Sequence, residues 1–287
     1  TTWDRHVIAN MGTEMGATTT VFPSDEETKK FLKKQKREDD WIELKADSEA
    51  HYDETDEIDL SKVEPLIAYP SSPGNVVPIK DVAGKKVSQV MIGSSANPGP
   101  QDFAIVAEIL KDEVISPHVS LDINPSSRQI YQNLARWSHL TDLLKTGARM
   151  NQTGCMGCIG MGQAPASDTI SLRTVPRNFP GRSGTLDDKV YLCSPETGAA
   201  AALTGEITDP RDLEKVHGKQ YPKWEEPDEI EINERNLIEP VPHEEAKDTE
   251  LVKGPNIKKL PEFEPLEDKY EIPVLLKMGD NISTDEI

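Results

Sequence analysis

Val87-Ser88-Gln89-Val90-Met91-Ile92-Gly93 opens the most regular part of the sequence. It is a short run of β-branched and long apolar side chains that closes on a small-residue turn, the pattern of a buried strand. Asn97-Pro98-Gly99-Pro100 comes next and leads into a helix over Asp102 to Asp112, where Phe103, Val106, Ala107 and Leu110 share one face. His118 to Ile123 reads as a second strand. From Ser126 a single amphipathic helix is expected to about Lys145, with Gly147 as its terminating glycine. Asp168 to Val175 and Lys189 to Cys193 read as further strands, and Pro195 to Leu203 as an alanine-rich helix with Gly205 just past its end. Strands alternating with helices predict a layered α/β domain with a mostly parallel sheet, over residues 84–215.

Outward from this domain the pattern weakens. Ser24-Asp25-Glu26-Glu27 predicts a capping box opening a short charged helix to about Lys36. Acidic side chains concentrate in Glu38 to Asp59 and in Trp224 to Asp268, and both stretches are read as solvated surface. The second has no helical or strand period, so an extended acidic linker is expected over 216–270.

The charge balance narrows the function classes. With 32 Lys and Arg against 51 Asp and Glu, the 287-residue chain carries a formal charge of −19. A protein that reads a nucleic-acid backbone needs a basic surface, so no nucleic-acid partner is expected. Three cysteines do not make a disulfide scaffold. They fit a reducing compartment, and a cytoplasmic location is expected. No apolar run approaches the roughly 18 residues of a membrane helix, and no secretory leader pattern is present, so no membrane partner is expected. The chain has no initiator Met and stops at Ile287 within a polar turn, which suggests a piece of a longer protein.

Three segments carry chemistry. Cys155-Met156-Gly157-Cys158 lies in a glycine-rich run ending at Gly162. Two thiols three apart, with glycines that let the backbone curl, can hold one face of an inorganic centre. A zinc site would need two further nitrogen or sulfur ligands that this spacing does not supply. A thiol–disulfide redox pair and a purely structural pair are the other readings. Arg177-Asn178-Phe179-Pro180-Gly181-Arg182 places two arginines in a turn, suited to gripping carboxylates or, taken alone, to an ordinary surface. Asn10-Met11-Gly12-Thr13-Glu14-Met15-Gly16 reads as a loop with an amide and a carboxylate between glycines.

Together these segments resemble the aconitase family, and the resemblance covers almost the whole chain. Asn10 to Pro23 resembles the family's Asn-Met-Gly-Ala-Glu loop and the segment after it. Glu38-Asp39-Asp40-Trp41 and Tyr52 to Leu60 resemble its acidic connector. Cys155 to Gly162, Ser171 to Gly184 and Ser194 to Arg211 resemble its cluster and substrate segments, and Lys277 to Ile287 resembles the start of its swivelling final domain. The pattern is nearer the bacterial single-chain type than a separate isopropylmalate isomerase large subunit.

The resemblance implies the family's third α/β domain at 84–215. It puts the end of the preceding domain and an acidic connector at 1–83, the linker at 216–270, and the start of the C-terminal domain at 271–287. It implies a [4Fe–4S] enzyme that interconverts citrate and isocitrate through cis-aconitate. Cys155 and Cys158 match two cluster ligands. Arg177 and Arg182 match arginines that bind a tricarboxylate substrate, and Asn10 and Glu14 match polar groups facing the labile iron. The catalytic base is expected beyond Ile287, and the chain is expected to pack against the remaining aconitase domains.

Several positions depart from the family pattern. Ser95 stands in Ile92-Gly93-Ser94-Ser95-Ala96-Asn97 where the family has its remaining cluster cysteine. A hydroxyl is a harder ligand than a thiolate and gives up its proton less readily. Pro176 precedes the first arginine where the family has asparagine. Ser71-Ser72-Pro73-Gly74-Asn75 stands for His-Ser-Pro-Asp-Asn, and Thr284-Asp285-Glu286-Ile287 for Thr-Asp-His-Ile. These exchanges leave two alternatives: an iron–sulfur hydro-lyase for another hydroxy-acid, or a degenerate homologue with a binding or regulatory role.

Overall fold

The computed structural model describes residues 1–94, 99–280 and 282. The chain divides into two units, Thr1–Arg235 and Asn236–Ile287. The division falls inside the stretch expected to be a linker.

The first unit opens with α1 (Thr2–Gly12) and α2 (Glu26–Lys34). Thr1 and Asp4 cap α1 reciprocally. The cap of α2 is Asp25 rather than Ser24, whose backbone is taken up pairing with Leu44. The Asp25 carboxylate accepts from the Glu27 and Thr28 amides and also receives two bonds from Arg5, at 2.9 and 2.6 Å, which tie α1 to α2. The loop expected at Asn10 to Gly16 is helical instead. Helix α1 runs through Gly12 and continues as a 3-10 turn over Thr13–Met15, until Gly16 ends it in the left-handed region at φ +84°. Gly12 is not a turn glycine; a Cβ there would strike the hydroxyl of Thr20.

The rest of the unit runs β1 (Leu66–Ala68), β2 (Val76–Pro78), β3 (Gln89–Ile92), α3 (Pro100–Leu110), β4 (Ser120–Ile123), α4 (Arg128–Arg136) and α5 (His139–Lys145). It continues with β5 (Arg149–Met150), β6 (Ile170–Arg173), β7 (Lys189–Leu192), α6 (Pro195–Thr204) and α7 (Leu213–His217). The strands form one sheet in the order β2-β1-β7-β6-β3-β4-β5. From β7 to β5 neighbours are parallel, while β1 runs antiparallel to both β2 and β7. The layered α/β architecture with a mostly parallel sheet is therefore the one expected, with the β1–β2 hairpin continuing the sheet ahead of residue 84.

The helix expected over 126–145 is broken in two at Ser138, whose φ is +67°. The break reorients the chain so that Trp137 meets Trp224 with ring centroids 5.6 Å apart while His139 is buried. The acidic stretch around Trp224 is thus anchored on this unit. Asn133 donates to the Glu231 carbonyl at 3.0 Å and accepts from its amide at 2.7 Å, and Lys34 meets the Glu226 carboxylate at 3.1 Å.

Strand alternation gives the sheet two different faces. Val90, Ile92, Leu121, Ile123, Leu172 and Tyr191 join the main core with the helices. Helix α6 lies close on β3 because Gly198 and the Ala199–Ala202 run present almost no side chain; a Cβ on Gly198 would sit 3.2 Å from Val90. The opposite face carries Met91, Val190 and Leu192 in a smaller cluster with Ala68, Val175 and Cys158. It also carries the polar side chains of Gln89, Asp122, Ser171 and Arg173, all buried. In this register Gln89 faces Ser171, and Met91 faces Arg173.

Among its described residues the second unit contains one helical turn, α8 (His243–Ala246), and all of them are exposed. Ser283 to Ile287, part of the expected C-terminal domain start, lie outside the described residues. Among the described residues no helix is long and apolar enough to cross a membrane.

Candidate functional site

The strand order reverses at β3, which has β4 on one side and β6 on the other. Crevices at the carboxyl ends of parallel strands, where the order reverses, are where open α/β sheets bind ligands. Gly93 ends β3 at this point. Its amide donates to the Thr174 hydroxyl at 2.7 Å, and its φ of +95° is open to glycine. A Cβ there would collide with the Asn124 carbonyl and the Phe103 ring. The floor of the site is therefore closed to any larger residue. Ser95 lies just beyond, outside the described residues.

The two-thiol segment comes after β5. It folds into a 3-10 turn over Gly157–Ile159 ended by Gly160 at φ +81°. Cys155 is exposed and Cys158 buried. Burial pushes the Cys158 thiol up, the neighbouring Cys155 adds to this, and Arg182 opposes both. The free thiol is thus held protonated, and a bound metal would have to displace the proton.

The arginine turn lies against this loop. Arg182 places Nη2 3.7 Å from the Cys158 sulfur, and its Nε is buried without a hydrogen-bond partner among the described residues. The Ser183 hydroxyl donates to the Cys158 carbonyl at 3.3 Å. A Cβ on Gly160 would fall on the Ser183 carbonyl oxygen, so glycine is required for the two segments to approach. Buried Asn178 sits between the two arginines and donates to the carbonyls of Tyr69, at 3.1 Å, and Val190, at 3.2 Å, fixing the turn on the sheet.

Arg177 points elsewhere. Its Nε donates to Glu14 at 2.6 Å, which brings two of the expected site residues together. Asn10 lies one turn earlier on α1 and is half-buried. Cys193 packs with the helix-side core, whereas Cys158 belongs to the opposite face. Burial pushes the Cys193 thiol up to about 12. It cannot complete a site with the other two sulfurs, because the sheet lies between them.

Arg173 went unread in the sequence. It is fully buried beneath the two-thiol loop and donates to the Gly157 carbonyl at 2.6 Å and the Gln163 carbonyl at 3.2 Å. Its other bonds go to Gln89 at 2.7 Å and Ser171 at 3.0 Å. Burial lowers its pKa to about 10, so it remains a cation at neutral pH. The signal was present: Ser171 and Arg173 alternate with Ile170 and Leu172 in an otherwise apolar strand. A second pin comes from Arg149, which meets buried Asp122 at 2.9 Å and the Gly162 carbonyl at 2.9 Å. Burial raises the Asp122 carboxyl, against the pull of Arg149.

Among the described residues no group of three or more His, Cys, Asp or Glu side chains is placed to hold a metal. The donors present are two thiols on a glycine cradle beside a cation with an unused N–H. That set fits one edge of an anionic, thiolate-bound centre.

The model of the aconitase family (aconitate hydratase) matches residues 1–205. A 3-isopropylmalate dehydratase large subunit 1 of Thermotoga maritima is 40% identical over 211 residues, covering 72% of this chain and 50% of that protein. A 3-isopropylmalate dehydratase large subunit 2 of Archaeoglobus fulgidus is 37% identical, covering 73% of this chain and 51% of that protein. A 3-isopropylmalate dehydratase large subunit 1 of Methanopyrus kandleri is 39% identical, covering 72% and 50%. The chain spans about half the length of these curated relatives. The matched region runs from α1 through α6 and so contains both the two-thiol loop and the arginine turn, and on that extent of agreement the chain belongs to the aconitase family.

Proposed function

We propose that this chain forms the cluster-side wall of an aconitase-family hydro-lyase acting on a hydroxy-acid with two or three carboxylates, with citrate and isocitrate as the interconverted pair. The observation that carries the reading is Arg182, which sets one guanidinium nitrogen 3.7 Å from the Cys158 sulfur and keeps, in the same buried place, an N–H with no partner among the described residues. A cation with a free donor beside a thiol pair suits an anionic centre and an anionic substrate together.

Cys155 and Cys158 would hold a [4Fe–4S] cluster, with Ser95 at the position of the remaining ligand. When bound, the cluster supplies a Lewis-acidic iron for the substrate hydroxyl. The residues of this chain bind and orient. Arg182 takes one substrate carboxylate at the cluster edge. Arg177, aligned by Glu14, takes another, and Asn10 adds a neutral polar contact from α1. The 84–215 region acts as the cluster-binding domain, and the base that moves the substrate proton comes from the rest of the protein.

A second reading, 3-isopropylmalate as the substrate, is favoured by the names of the relatives. A separate small subunit would then replace the single-chain arrangement. The test is anaerobic reconstitution of the full-length protein with iron and sulfide, an iron count, and turnover of citrate, isocitrate and 3-isopropylmalate read by absorbance of the unsaturated intermediate. Bound iron with turnover of the tricarboxylates supports the first reading. Turnover of 3-isopropylmalate alone selects the second. A folded protein that retains no iron and turns over neither defeats both and leaves a degenerate homologue.

A further inference from the structure

We propose that Arg173 is the positioning residue of the two-thiol loop: from strand β6 it grips the loop at two points, the Gly157 carbonyl between the thiols and the Gln163 carbonyl beyond them, and supplies positive charge beneath whatever anionic group the thiols hold. The inference rests on the reading of Cys155 and Cys158 as ligands.

Four observations carry it. Arg173 is fully buried, and burying a guanidinium is costly unless its donors are used. All of its nitrogens are engaged, by Ser171, Gln89, the two loop carbonyls and a 3.5 Å contact to the Met91 sulfur. Every one of those hydrogen-bond partners is neutral; Asp122 and Asp188 attract the guanidinium without bonding to it, as does the Cys158 position, so the charge lies under the loop without a direct carboxylate bond. Finally, the loop is drawn down onto it so closely that Gly157 has no room for a side chain unless Met91 moves. A Cβ there would stand 2.5 Å from the Met91 methyl and 2.9 Å from its sulfur. A residue needed only to fill space would be apolar here, like its neighbour Leu172 on the other face.

The roles within the network are distinct. Gln89 accepts from both Arg173, at 2.7 Å, and Ser171, at 2.6 Å, which fixes the plane of the guanidinium. Gly157 lies between the two thiols in sequence, so a carbonyl held at this point sets how Cys155 and Cys158 face each other.

The experiment compares full-length wild type with Arg173→Met and Arg173→Lys. Three quantities are read: Co2+ affinity from the thiolate-to-cobalt absorption band, amide exchange across 155–163, and the thermal midpoint of the metal-free protein. For Arg173→Met the cobalt affinity should fall about 10- to 100-fold, as it does when groups that orient metal ligands are removed. Loop exchange should rise about tenfold or more, and the thermal midpoint should fall by several degrees, because Met leaves the Gly157, Gln163 and Gln89 oxygens without the donor that satisfied them. Arg173→Lys keeps the charge and one carbonyl bond, and should recover part of the loss. Wild-type affinity and wild-type loop exchange in Arg173→Met overturn the proposal. If Arg173→Met does not fold, Arg173→Lys decides: unchanged cobalt binding and unchanged exchange overturn it. Cobalt binding and exchange do not depend on turnover. A wild type that binds cobalt but converts no hydroxy-acid sinks the functional reading alone, and one that binds none leaves the exchange data to judge Arg173.

Discussion

The Nε of Arg177 donates to the Glu14 carboxylate across 2.6 Å, joining segments 163 residues apart in the chain. Glu14 is mostly buried and Arg177 is more open, so the carboxylate acts as the fixed post and the guanidinium as the arm. Glu14→Gln keeps an oxygen acceptor and removes the charge. A charge-assisted bond of this kind is worth about 1.5–3 kcal/mol. The KM for the hydroxy-acid should therefore rise on the order of tenfold with kcat nearly unchanged, the pattern of lost uniform binding. Steady-state kinetics on the full-length enzyme check this, and an unchanged KM would remove Arg177 from the substrate site.

Gly157 and Gly160 should respond differently to alanine. At Gly157 the new methyl meets the end of the flexible Met91 side chain, which can move. The cost should stay near 1 kcal/mol, at the low end for overpacking. At Gly160 the methyl meets the Ser183 backbone, and φ is +81°. Strain and collision add there, and Gly160→Ala should cost at least about 2 kcal/mol. Urea unfolding of the two variants gives the order; equal costs would contradict the close approach of the loop to the arginine turn.

Cys193 should be dispensable for metal binding. It packs with the helix-side core, across the sheet from Cys158. Cys193→Ala should leave the iron-to-protein ratio of the reconstituted enzyme unchanged, whereas Cys158→Ala should abolish iron binding. Loss of iron in the Cys193 variant would mean that the thiol reaches the site.

The Asp25 carboxyl is held at about 2 by the Arg5 guanidinium bonded to it. Its folded pKa lies below the unfolded one, so the unfolded chain binds the extra proton in the window between them. The stability it provides is complete above the ordinary carboxylate range and is lost as pH falls toward about 2. Asp25→Asn should therefore flatten the acid limb of the stability curve between roughly pH 5 and pH 2. Denaturant midpoints over a pH series measure it, and an acid limb as steep as wild type would show that the pair contributes nothing.

The layers of the fold were legible in residue order alone. Val90 and Ile92, Leu121 and Ile123, and the Ala199–Ala202 run are apolar enough that only a buried sheet under helices accommodates them, and burial needs no knowledge of partners. It also determined which thiols and arginines stand close in sequence, since Cys155 with Cys158 and Arg177 with Arg182 are local patterns. It misled where a local signal had two causes. Gly12 reads as a turn but serves a close contact with Thr20, and the amphipathic run after Ser126 carries no mark of the left-handed Ser138. Folding in three dimensions was needed to put Cys193 across the sheet, Arg182 against Cys158, and Arg173 under the loop. Arg173 finds Gln89 from 84 residues away through the register of β3 on β6, and Gly157 from 16 residues away through the folding of the loop over the sheet. A hydrogen-bond partner supplied by a backbone carbonyl leaves no trace in residue identity, so the polar alternation in β6 marks Arg173 as unusual while what it holds could be read only from the fold.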